Sequence, residues 1–152
     1  MTRRYLLFNI RFCFRQTYST NPTRQHNDNG KVSKLNLDGC VLVEIFSGKL
    51  KKWDDDKIKK LNPGATLPSG DIVVVHRRFG SSSTSGTTSY LNQVGKDLKC
   101  ATQWPATMNG GKSVGSTVGK DGKWFADGSD VAAQGSSGVL AKLRYDKTLA
   151  IE

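Results

Sequence analysis

A β-branched run that ends in an arginine and leads directly into a hydroxyl-rich turn is the part of this sequence equipped for chemistry: Ile72-Val73-Val74-Val75-His76-Arg77-Arg78-Phe79-Gly80-Ser81-Ser82-Ser83-Thr84. Backbone N–H groups in the first turn of a helix lack intrahelical acceptors and point outward, and the macrodipole adds roughly half a positive charge there. Serine hydroxyls contribute rotatable donors, and the planar fork of Arg77 can grip two oxygens of an oxyanion at once. Clusters of Ser, Thr and Gly between periodic segments are ordinarily plain loops. Here the aliphatic run predicts a buried strand, and open α/β sheets bind ligands at the carboxyl ends of such strands.

Other reactive-looking residues fit their chemistry less well. Gly110-Gly111-Lys112-Ser113 resembles the end of a phosphate-binding P-loop, but the glycine required five places before Gly111 is Ala106, and no apolar strand precedes it. Neither serine cluster spells the nucleophile elbow of a hydrolase, and neither His26 nor His76 has a serine and an acid in a triad-like order. Asp54, Asp55 and Asp56 complement the dipole of a first helical turn. Trp53 and Trp104 read as packing anchors. Cys13, Cys40 and Cys100 are three and widely spaced, so they cannot all pair within one chain, and no Cys-x-x-Cys pair suggests zinc or redox work. Cys40 falls in an apolar helical pattern and reads as a buried inert thiol; Cys100 is left as paired or free. No metal or cofactor is expected.

These groups need elements to hold them. Asp38 is positioned to cap a helix with Val41, Leu42, Ile45 and Phe46 on one face and Gly48 at its end. A short second helix follows Asp54 and stops at Asn62-Pro63-Gly64. The strand over residues 71–76 comes next, then the serine turn and a helix carrying Tyr90, Leu91 and Val94. Residues 105–130, rich in Gly and Lys with Trp124 and Phe125 as apolar anchors, read as a surface loop. Residues 130–143 read as weakly helical, with Val139, Leu140 and Leu143 spaced as on a helix after a turn at Gly135-Ser136-Ser137-Gly138, and residues 149–152 as a strand cut off in the middle.

At 152 residues the chain has room for one domain with a real core, and no run of eighteen apolar residues could span a membrane. The formal charge of +10 calls for an anionic partner of some kind. Much of the excess sits in residues 1–34, where Arg3, Arg4, Arg11, Arg15, Arg24, Lys31 and Lys34 face a single acid, Asp28. That basic segment reads equally as an organelle transit peptide or as unrelated sequence joined to the domain. Arg11 interrupts its apolar stretch before a secretion signal could form, so no signal peptide is expected. No recognition-strand or helix-turn-helix pattern predicts specific nucleic-acid binding, although salt-sensitive sticking to polyanions through the tail is a rival role.

Several segments fall in a familiar order: Leu35-Asn36-Leu37-Asp38-Gly39, Glu44-Ile45-Phe46-Ser47-Gly48-Lys49, Lys52-Trp53-Asp54, Leu61-Asn62-Pro63-Gly64, Val74-Val75-His76-Arg77 and Trp104-Pro105. From about Leu35 onward the chain resembles the phosphate-binding proteins of the high-affinity phosphate ABC importer, and it is similar over the same region to DING proteins. The resemblance implies an α/β fold, part of a periplasmic-binding-protein-like, type II, Venus-flytrap architecture and essentially one lobe, with residues 35–152 forming an incomplete lobe. It implies inorganic phosphate as ligand, an ABC permease complex as partner, and a periplasmic or secreted location. A DING-like phosphatase is the rival activity, for which the sequence offers no nucleophile or metal.

Aligned without gaps on Thr88-Ser89-Tyr90-Leu91, the family pattern implies that Arg77, Gly80, Ser81, Ser82 and Ser83 bind phosphate. Ser82 takes a glycine position that offers its backbone N–H, and Ser83 a threonine position that offers hydroxyl and amide. A rival register runs through Ser85-Gly86-Thr87-Thr88 but leaves little room for the following helix. Two departures stand out. The family's aspartate two places after the arginine is Phe79 here. The first lobe, with the carboxylate that accepts the proton of hydrogen phosphate, has no counterpart, which predicts weak discrimination against sulfate.

Overall fold

A computed structural model describes residues 35–145 and 149–151 of the chain. Asp38 starts helix α1 (Gly39–Phe46): its carboxylate accepts from the Val41 amide at 2.8 Å, and Gly48, at φ 72°, turns the chain away at the far end. Helix α2 (Asp56–Leu61) is capped by Asp55 rather than Asp54, because the Asp55 side chain reaches the Lys57 amide. Lys57 returns to α1, its ammonium 2.6 Å from both oxygens of the buried Glu44 carboxylate, which also accepts from Thr102.

Strand β1 (Ile72–Arg77) lies in the middle of a three-stranded sheet of order β4-β1-β5, with β4 (Val131–Ala133) and β5 (Leu149–Ile151) both parallel to it. Val75, His76 and Arg77 stand opposite Val131, Ala132 and Ala133, while Ile72 to Val74 stand opposite Leu149 to Ile151. Side chains alternate across the pleat. Ile72 and Val74 therefore enter the larger core with α1, Trp53, Ile58, Leu91, Trp104 and Trp124, whereas Val73 and Val75 join the smaller one with Ala133, Val139 and Leu143. Helix α1 meets β1 on the first face with α3 (Ser82–Asp97) packed against it, and α4 (Gly135–Tyr145) covers the second. Continuous burial on both faces is what a parallel sheet demands, and it explains the unbroken aliphatic run.

Three expectations change. Residues 105–130 are not a surface loop: they fold as a hairpin of β2 (Thr107–Met108) and β3 (Gly111–Lys112) followed by a 3-10 turn, and they bury Met108, Ser113, Val118 and Trp124. Few apolar residues suffice because Met108, Val118 and Trp124 are buried almost completely, and glycines supply the tight bends. Residues 131–133, expected to be helical, are β4, since an extended backbone there bonds to β1. Cys40 is not an inert thiol. It is bonded to Cys100, with the Cα atoms 5.4 Å apart, because packing of α1 on α3 brings the start of one helix to the end of the other.

Two measurements check this account. The bridge closes a loop across 60 positions, so reducing it, or replacing Cys40 and Cys100 by Ala, should lower unfolding stability by about 4 kcal/mol in a denaturant titration. Gly122, at φ 73°, leaves no space for a side chain: a Cβ would lie 2.0 Å from the Arg78 carbonyl oxygen. Gly122→Ala should therefore destabilise by about 2 kcal/mol or more, whereas Gly110→Ala, where a Cβ meets nothing and only the backbone conformation is strained, should cost about 1 kcal/mol.

Candidate functional site

Strands β1 and β4 run parallel, so their carboxyl ends open on the same sheet edge, and each passes straight into a helix. Arg77 ends β1. By alternation it projects to the α4 side, where its Nη1 donates to Ser136 Oγ at 3.1 Å, while Nη2 reaches the Gly80 carbonyl at 3.4 Å. The Arg77 Nε–H is buried and has no hydrogen-bond partner, and among the described residues no carboxylate pairs with this half-buried cation. A small cavity of about 50 Å³ lies here, lined among others by Arg77, Ser81, Ser83, Thr84, Trp124 and Ser136.

Ser81 is the N-cap of α3. Its buried hydroxyl oxygen accepts from the Thr84 amide at 3.4 Å, which leaves its own O–H free to donate. Its amide is taken by Ser116 O at 3.1 Å, and that neighbouring loop is tied to α3 by the fully buried Thr88, whose Oγ1 accepts from the Gly115 amide. Of the first-turn amides, those of Ser82 and Ser83 remain, and position in the helix denies both an intrahelical acceptor. The side chains of Ser82 and Ser83 are exposed, with Ser83 on the cavity wall, and Gly80 contributes its carbonyl to Arg77. The structure thus brings Arg77, Ser81 and Ser83 to one cavity, whereas Gly80 and Ser82 are not among the residues that line it.

His76 projects to the opposite face from Arg77 and is buried. Its Nε2 lies 2.7 Å from Asp130 Oδ2 and its Nδ1 3.0 Å from the Arg77 carbonyl oxygen. The ring stacks on Trp124, centroids 4.6 Å apart at 21°. Asp130 also accepts from the Trp124 and Phe125 amides at 3.1 and 3.0 Å. Burial pushes its pKa up, but the hydrogen bonds from His76 and those two amides outweigh it and hold the carboxyl below the usual range.

Sequence reasoning missed Ser136, His76, Asp130 and the role of Trp124. Gly135-Ser136-Ser137-Gly138, read as a turn, is the first turn of α4, and it repeats the strand, glycine, serine order that follows β1. That repetition was the available signal, masked because Val131-Ala132-Ala133 is a weak strand sequence. Gly110-Gly111-Lys112-Ser113 sits in the β2–β3 hairpin, remote from a strand-to-helix turn. Among the described residues no three His, Cys, Asp or Glu side chains gather as metal ligands would, and no helix is long and apolar enough to cross a membrane.

Parallel strands feeding helix starts at a common edge, with an arginine between them, define part of an α/β lobe of the open-sheet kind. The chain belongs to the PBP superfamily: a family model described as a PBP superfamily domain matches residues 18–149. It is 42% identical over 114 residues to the phosphate-binding protein PstS of Pasteurella multocida, a match covering 75% of this chain and 29% of that protein. For the phosphate-binding protein PstS of Haemophilus influenzae the identity is 43% over 117 residues, covering 77% and 30%. For that of Methanocaldococcus jannaschii it is 38% over 115 residues, covering 73% and 25%. The chain therefore spans less than a third of the length of these relatives.

The Asp130 clasp gives a pH prediction. Because the folded-state pKa is lowered, its stabilisation is complete above the ordinary value of 3.8 and is lost as pH falls through the lower folded-state value. Asp130→Asn should remove that acid limb from a stability-against-pH curve and destabilise the protein at neutral pH by about 3 kcal/mol, since an amide N–H₂ cannot accept where a carboxylate oxygen did.

Proposed function

We propose that this chain is a phosphate-binding part of one lobe of an ABC importer's substrate-binding protein. The observation that carries the reading is the half-buried Arg77 guanidinium, with no carboxylate partner among the described residues, beside the start of α3. Arg77 supplies charge. Ser81 supplies a hydroxyl, and Ser82 and Ser83 supply the two amides without intrahelical acceptors, with Gly80 shaping the approach. Similarity to phosphate-binding proteins PstS supports phosphate as the ligand and favours binding over catalysis. A permease complex is the partner this role requires. The Cys40–Cys100 bridge supports an oxidising location such as the periplasm or the exterior.

Two to three charge-assisted hydrogen bonds in an open, hydrated half-cleft leave roughly 4 to 5 kcal/mol, or about millimolar affinity for the chain alone. Titration of the ¹⁵N-labelled chain with inorganic phosphate, against sodium chloride as control, should shift the amides of residues 80–84, and Arg77→Ala should abolish the shifts. Unmoved amides at tens of millimolar phosphate reject the proposal.

A further inference from the structure

Arg77 is a long, mobile side chain, and a guanidinium that wanders grips nothing bidentately. The side chain two places on, Phe79, is 55% exposed and cannot accept a hydrogen bond. The shorter of the two hydrogen bonds made by the Arg77 head group runs instead to α4, where Ser136 Oγ accepts the Nη1 hydrogen at 3.1 Å. We propose that Ser136 is a further residue of this site: it positions the Arg77 guanidinium and offers its own hydroxyl hydrogen to the same tetrahedral oxyanion. The inference rests on the reading of Arg77 as a phosphate ligand and extends the site to a second strand-to-helix turn.

The chemistry follows from the hydroxyl's dual nature. As an acceptor it fixes one edge of the fork; with that lone pair engaged, its single hydrogen is left to donate. A carboxylate in its place would hold the arginine more strongly but would cancel its charge and repel an incoming anion. A serine orients the cation and leaves its charge available. Two further facts locate the ligand's side of the arrangement. Ser136 lines the same small cavity as Arg77, Ser81 and Ser83, and the buried Trp124, whose indole N–H has no hydrogen-bond partner, lines it too.

The full chain tests this in two readouts. In the free protein the Arg77 Nε–H resonance should broaden or shift in Ser136→Ala and return in Ser136→Thr, which keeps the hydroxyl. In the phosphate titration Ser136→Ala should weaken binding about fivefold, the worth of one neutral hydrogen bond. Ser136→Thr should stay within about twofold of the parent, and Ser137→Ala, one residue along the same exposed turn, should match it. An unchanged Arg77 resonance and unchanged phosphate affinity in Ser136→Ala overturn the proposal, as does a loss that Ser136→Thr fails to rescue. Failure of the parent chain to bind phosphate sinks the proposed function separately, because the Arg77 resonance still decides whether Ser136 positions it.

Discussion

The buried Asp130 carboxylate is the contact on which the placement of everything else depends. It accepts from His76 and from two consecutive amides, and so pins the segment that carries Trp124 to the end of β1. His76 passes the constraint on through its bond to the Arg77 carbonyl, which sets the peptide from which the Arg77 side chain leaves the sheet. Alternation then does the rest: anchoring one side chain on the hairpin face obliges its neighbour to emerge on the α4 face. A buried, hydrogen-bonded carboxylate can carry this duty because leaving it half-satisfied costs several kcal/mol, so the geometry around it is steep in energy.

What the sequence disclosed follows the range of the interactions. Helix α1 with its Asp38 cap, and the sequence from β1 into the Ser81 cap of α3, are written in neighbouring residues and were readable there. The hairpin region was not, because its structure comes from a handful of side chains, Met108, Val118 and Trp124, that are buried by partners far along the chain. Strand β4 was equally hidden. Val131, Ala132 and Ala133 have little intrinsic preference for extended backbone and are extended because β1 offers a ladder. The pairing of Cys40 with Cys100 likewise depends on how α1 meets α3, which spacing alone cannot specify.

The same division runs through the candidate site. Arg77 and the serine turn after it form one contiguous segment, whereas Ser136 lies 59 residues beyond Arg77 and enters only because β4 is parallel to β1. Two adjacent parallel strands bring two helix starts to one edge, so the field of each adds at the place where the guanidinium sits. Neutral acceptors, the Ser136 hydroxyl and the Gly80 carbonyl, hold that charge without cancelling it. The sheet, not any single motif, is what concentrates positive potential there.

The covalent link between residues 40 and 100 has a temporal side. Everything it encloses, from α1 through α3, is synthesised before the hairpin, β4 and α4 exist. Oxidation can therefore lock the enclosed segments while translation continues, leaving the later ones to dock onto that frame and to set Arg77 through Asp130 and Ser136. Assembly of the cleft becomes directional, with the Ser136 wall arriving last.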